Sequence, residues 1–337
     1  MRKRRLLLIV GACLATLSLT ANSALADPQA PPGPPAGPSR QLVGVGAETT
    51  QGLLNALSDI ITINNTKVIG SYDQSPQPSN IMTKTSPPAN CVIPRPRDGG
   101  TGTDALVKSL QQSDGCVQFS REVSNECKKT SRAGTGLTCI PMAFDALTYA
   151  IRSDSQIPKD LSIQDLTDIY NCRVPGIHPL IGSFGAGNRT LFLSKLTPPI
   201  PDSPTLAGSP GFECLKDTDV NGQPLLANDG RVLTDPTQIV TYSTAPYLAQ
   251  INGVISDKHG KAILGSINGI SPTVLNNDSF IAREVFNDVA TTQINVEPTK
   301  SVFNGSNSLI CSNSATIKRQ GFNTDPNCGS TLFKTTS

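Results

Sequence analysis

Three times in this chain a glycine-rich loop opens directly into an amphipathic helix pattern. The first follows the apolar run Leu42 to Val45. It reads Gly44-Val45-Gly46-Ala47-Glu48-Thr49-Thr50-Gln51, and apolar residues then recur at Leu53, Leu54, Leu57, Ile60 and Ile61. That is the i, i+1, i+4, i+7, i+8 stripe of a helix with one buried face. The second is Arg95-Pro96-Arg97-Asp98-Gly99-Gly100-Thr101-Gly102-Thr103-Asp104, ahead of Ala105, Leu106 and Leu110. The third is Ser183-Phe184-Gly185-Ala186-Gly187-Asn188-Arg189-Thr190, ahead of Leu191, Phe192, Leu193 and Leu196, and Pro198-Pro199 ends it. Thr49, Thr50 and Asn188 are N-cap residue types. Strand, glycine turn and helix in alternation predict an α/β fold with a largely parallel sheet in each half.

A helix start presents unpaired backbone N–H groups and a partial positive charge, which suits an anion. Taken singly, each loop reads as an ordinary turn. Taken together, with Arg121 and Arg189 beside two of them, they describe a site for a small, multiply charged oxyanion. A carboxylate there could accept the proton of hydrogen phosphate, and Glu48, Asp98 and Asp145 are the candidates. The candidate ligand set is Glu48, Thr49, Thr50, Asp98, Gly100, Thr101, Gly102, Ser120, Arg121, Asp145, Gly187, Asn188 and Arg189.

The remaining segments are read as follows. Thr62 to Ile69 is expected as a strand and Ser71 to Asn90 as loop. Cys116 to Arg121 is strand-like, and Leu137 to Phe144 is an apolar run with Asp145 at its exit. Ser162, with Asp165 three residues on, caps a helix whose buried stripe is Leu166, Ile169 and Tyr170. Gln238 to Tyr242 is a strand and Ala245 to Ile251 a short helix.

Residues 1–26 have the form of a secretory signal. Arg2, Lys3, Arg4 and Arg5 precede the apolar run Leu6 to Leu19, and Ala24-Leu25-Ala26 is the cleavage site. An alternative is lipidation at Cys13. Pro28 to Pro38 reads as an extended proline-rich linker within residues 27–40. Without the signal the chain keeps 24 Lys and Arg against 26 Asp and Glu, which gives no basic patch for nucleic acid or an anionic membrane. The expected place is outside the cell, with cell-surface association open.

Eight cysteines lie beyond the signal: Cys91, Cys116, Cys127, Cys139, Cys172, Cys214, Cys311 and Cys328. An even count in an exported chain predicts up to four disulfides. Spacing does not select a connectivity, and pairing of neighbours is the one carried forward. Only His178 and His259 occur, with no C-x-x-C, H-E-x-x-H or G-x-S-x-G motif. No metal site, cofactor or hydrolytic triad is therefore expected, and the chain reads as a binding protein rather than an enzyme.

In order and type, these segments resemble the phosphate-binding-protein-like group of periplasmic binding proteins, type II, and more narrowly secreted actinobacterial substrate-binding proteins. The residues that carry the resemblance are Gly44 to Gln51, Arg97 to Gly102, Phe119-Ser120-Arg121, Pro141 to Ala150, Leu161 to Tyr170 and Gly185 to Arg189. It spans about residues 41–330. It implies two α/β lobes of mixed, mostly parallel sheet with a ligand cleft between them. Lobe 1 would comprise residues 41–140 and 244–337 and lobe 2 residues 141–243, with crossings near Ile140–Asp145 and Ile239–Ser243. It further implies a monomer that binds phosphate and delivers it to an ABC permease. Ala186 and Asn188 stand where the family has serine and threonine, so two hydroxyl donors are missing. The alternatives are a non-transport or wall-associated protein of this fold with another ligand, or a phosphatase on this fold.

Overall fold

The computed structural model describes residues 27, 40–75, 79–84 and 91–336. The expected signal, Cys13 and the stretch 28–38 lie outside the described residues.

The elements that position the site are, in chain order, β1 (Leu42–Gly46), α1 (Gln51–Ile60), β2 (Ile69–Ser71), α2 (Gly99–Gln112), β3 (Phe119–Glu122), β4 (Leu137–Arg152), α3 (Ile163–Tyr170), β5 (His178–Leu180), α4 (Gly187–Lys195), β6 (Gln238–Ser243), α5 (Thr244–Ile251), β7 (Ala262–Leu264) and β8 (Ala282–Ala290). One mixed sheet runs in the order β5-β6-β4-β8-β3-β1-β2. Its two ends are parallel: β1 pairs β2 and β3, and β5 pairs β6. Its middle is antiparallel, with β4 between β6 and β8 and with β8 against β3.

The 16-residue β4 is the spine of this sheet. All of it but Arg152 is buried, as expected for a strand covered on both faces. Residues 137–146 pair with β8, and residues 147–151 pair with β6. Pro141 cannot donate to the ladder, and the register slips beside it, between Val285 and Phe286 of β8. The apolar core divides along the same strand. Two clusters draw on residues 42–143 and 285–333, with Ala245. The other two draw on residues 147–281, with Ala262, Ile267 and Ile281 among them.

Local signals explain two of the five helix starts. Asp98 and Thr101 close a reciprocal capping box at α2, and Ser162 and Asp165 close another at α3. α1 buries Leu53, Leu54 and Leu57 of its expected stripe, and Ile61 just after it, but Ile60 is 50% exposed. Two strand expectations also change. Residues 62–67 form a tight hairpin rather than one strand, because Asn64 and Asn65 both adopt left-handed backbone. Within the expected loop, Asn80–Lys84 pairs with Cys91–Pro94. All four disulfides join neighbours: Cys91–Cys116, Cys127–Cys139, Cys172–Cys214 and Cys311–Cys328. Among the described residues no helix is long and apolar enough to cross a membrane.

Candidate ligand cleft

The three glycine loops meet. Gly46 ends β1 at φ +123°, and the first turn of α2 packs directly on it. A Cβ added at Gly102 would lie 2.5 Å from the Gly46 Cα, so only glycine permits this approach. The third loop reaches the second at Gly185, where a Cβ would lie 3.0 Å from Asp98 Oδ2. It reaches the first at Asn188, whose Oδ1 accepts from Thr49 Oγ1 at 3.4 Å.

Asn188 does not cap α4, although its residue type suits that role. The helix begins at Gly187 with Ala186 at the N-cap and no side-chain cap bond. Asn188 lies inside the first turn, buried, and its amide turns away from its own helix. Besides Thr49, its Oδ1 accepts from Ser243 Oγ at 3.3 Å, and its Nδ2 donates to Asn228 Oδ1 at 3.2 Å. Asn228 is the centre of this polar seam. Its Nδ2 donates to Glu48 Oε2 at 2.6 Å and to Thr49 Oγ1 at 3.1 Å, while its Oδ1 also accepts from Ser243 N–H at 2.9 Å. Burial pushes the Glu48 carboxyl above its ordinary range, with Asp229 and Asp73 adding to the rise. The Asn228 bond and Lys258 pull it back.

Beneath the seam lies a buried ion pair. Arg283 Nε and Nη2 donate to Asp145 Oδ2 at 2.9 and 2.6 Å, and Nη2 also reaches Ser243 Oγ. Asp145 Oδ1 accepts the Ala245 N–H at the start of α5, at 3.0 Å. Arg283 Nη1 has no hydrogen-bond partner among the described residues.

The two arginines expected to face an anion have other partners. Arg121 donates all five of its N–H groups within the protein, to the carbonyls of Gly44, Gly46, Ala47 and Tyr72 and to Ser71 Oγ. Burial lowers it to about 10, against the opposing pull of Asp73, Asp27 and Glu48. Arg189 pairs with Asp202 at 2.7 Å and Asp217 at 2.9 Å, and donates to the carbonyls of Gly182 and Ser203.

Of the remaining candidates, Thr50 is buried at the N-cap of α1, and among the described residues its Oγ1 reaches Ala47 O, at 3.5 Å. Asp98 and Thr101 are committed to the α2 cap, and the Gly100 carbonyl accepts from Arg132. Gly187 packs so closely on Val123 that a Cβ would lie 2.2 Å from its Cγ2. Ser120 sits away from the seam, under α2, 3.0 Å from Thr103 Oγ1. Thr103 Oγ1 also lies 2.7 Å from Glu122 Oε1 and 3.2 Å from Asp288 Oδ2, and the buried carboxyls of both acids are pushed well up. His178 binds Thr237 and His259 binds Asp257, both at the surface. No group of His, Cys, Asp or Glu among the described residues could hold a metal ion.

Sequence reasoning passed over Asn228, Ser243 and Arg283. Asn228 begins Asn228-Asp229-Gly230, which reads as a plain turn. Arg283 carried a usable signal: Arg283 and Glu284 interrupt the apolar run Phe280 to Phe286, and the one on the inward face of the strand requires a buried partner.

No family model and no curated protein matches the chain. Solved structures do. A candidate phosphate ABC transporter substrate-binding protein with bound phosphate, from Clostridium perfringens, is 12% identical at a TM-score of 0.56, covering 84% of this chain and 99% of that one. An ABC-type phosphate transport receptor from Vibrio cholerae is 12% identical at a TM-score of 0.51, covering 84% and 100%. A human phosphate-binding apolipoprotein is 13% identical at 0.50, covering 85% and 91%. At these identities the likeness is one of fold: this chain has the two-lobed α/β fold of the phosphate-binding-protein-like group of periplasmic binding proteins, type II.

Proposed function

We propose that this is an extracellular solute-binding protein that captures a small oxyanion, phosphate first, in a cleft between two lobes. The observation that carries this reading is the convergence of the starts of α1, α2 and α4 on one polar seam. The division of the apolar clusters supports lobes of about residues 41–146 with 282–337, and 147–281. The joining strands are then β4 and β8, in place of the second crossing expected at 239–243. The protein acts by binding, as a monomer, and an ABC permease is the partner that takes the solute. Calorimetry and thermal melting with phosphate, sulfate and buffer alone test this. Phosphate at millimolar concentration should release or absorb heat and raise the melting temperature; no response would remove the phosphate assignment.

A second reading has specific support. Arg121 has no N–H to spare, and Ala186 and Asn188 replace two hydroxyl donors. The same fold would then serve a different polar ligand. Phosphate binding that appears only in the Ala186→Ser, Asn188→Thr double variant would favour this reading.

A further inference from the structure

We infer that the side-chain amide of Asn228 stands in the ligand's own place, so that a solute binds by displacing it and the residue sets both the affinity and the kind of group accepted. The inference rests on the seam being the binding cleft.

The geometry is that of a bound ligand supplied by the chain itself. Asn228 is 1% exposed. Its side chain makes four hydrogen bonds, and their partners come from the first loop (Glu48 and Thr49), from the first turn of α4 (Asn188) and from the junction of β6 and α5 (Ser243). One face of the amide is an oxygen that accepts from two donors, the Ser243 N–H and Asn188 Nδ2. The other face donates hydrogen to the Glu48 carboxylate and to Thr49 Oγ1. Without Asn228 the lining would hold two unsatisfied donors beside a carboxylate, each costly to leave dry. The group that refills it must carry an acceptor oxygen and, on a neighbouring atom, a donor hydrogen. Hydrogen phosphate has both. A fully ionised tetrahedral anion has no hydrogen for Glu48, so like charges would face one another.

Only the side chain has to move. The Asn228 carbonyl is pinned by Tyr242 Oη at 2.6 Å and Gln250 Nε2 at 2.9 Å. Its backbone sits at φ +57°, a region glycine adopts at no steric cost. Asn228→Gly therefore keeps the turn and deletes only the amide.

The test titrates inorganic phosphate into the wild-type protein and into Asn228→Gly, by calorimetry, with melting curves of both. The variant should bind phosphate at least tenfold more tightly than the wild type, and should melt lower than the wild type when phosphate is absent. Asn228→Ala, which also lacks the amide but is strained at this left-handed backbone, is an independent second variant under the same prediction. Equal affinities, or weaker binding in the variant, would overturn the displacement model while leaving the cleft assignment standing. Absence of phosphate binding in both proteins would remove the phosphate assignment and overturn this inference with it.

Discussion

Arg121 and Arg189 are both fully buried, and both stand beside a glycine loop, yet their surroundings differ in kind. Arg121 is held by four carbonyls and a hydroxyl, all neutral. Its nearest acids, Asp73, Asp27 and Glu48, act without direct contact, and burial lowers its pKa. Arg189 is held by two carboxylates. The first guanidinium is held by dipoles alone, whereas the second is shared between two carboxylates, a contact that carries one negative charge in excess. The donors of Arg121 fasten the first glycine loop and leave none over for a ligand.

The largest effect should follow from breaking the dipole-solvated arginine. Arg121→Met leaves the carbonyls of Gly46 and Tyr72 and the Ser71 hydroxyl without this donor in a dry interior. Each orphaned group costs about 1–3 kcal/mol, so the loss in urea unfolding should be about 4 kcal/mol or more. A loss under about 1 kcal/mol would show that Arg121 does not pin the first loop.

Arg189→Met should cost less, about 1–3 kcal/mol by the same measurement. The side chains it abandons, Asp202 and Asp217, are 12% and 23% exposed, so water can reach them. Adding Asp217→Asn to the variant should recover part of the loss, since it removes one of two like charges left facing each other. A double variant no more stable than Arg189→Met would mean that these two carboxylates do not compensate the second arginine.

The same contrast marks how far the sequence could be read. The capping box at Ser162 and the Leu53, Leu54 and Leu57 stripe of α1 were legible, because each is decided within a few turns of chain; the cysteine pairing, across separations of 12 to 42 residues, was not selected by spacing. The likeness of the three glycine loops was legible too, and they pack against one another at Gly46, Gly102 and Gly185. What was not legible is who satisfies whom across the fold. The Asn228–Glu48 bond spans 180 residues and the Arg283–Asp145 pair spans 138. No local pattern distinguishes an arginine that will meet carbonyls from one that will meet carboxylates or a ligand. Asn188 illustrates the limit: its residue type suits a cap, and tertiary partners at Thr49, Ser243 and Asn228 take its side chain away from the helix end.

The smallest effect should come from Glu48, the acid of the seam, bonded to Asn228 Nδ2. Its carboxyl is raised above 4.5, chiefly by burial. The folded chain thus holds a proton at pH values where the unfolded chain has released it, and stability must fall as pH rises from about 4.5 through the raised value. Asp73, Glu122, Asp288 and Asp325 shift in the same direction, Asp325 to about 6. The wild-type slope is therefore a sum over these groups. Glu48→Gln isolates one contribution, because the introduced amide keeps an oxygen for Asn228 Nδ2 and does not titrate. Melting temperatures of the two proteins measured from pH 4.5 to 8 should diverge, with the wild type losing more on the alkaline side. A constant difference across that range would mean that the Glu48 carboxyl is not raised by its place in the fold.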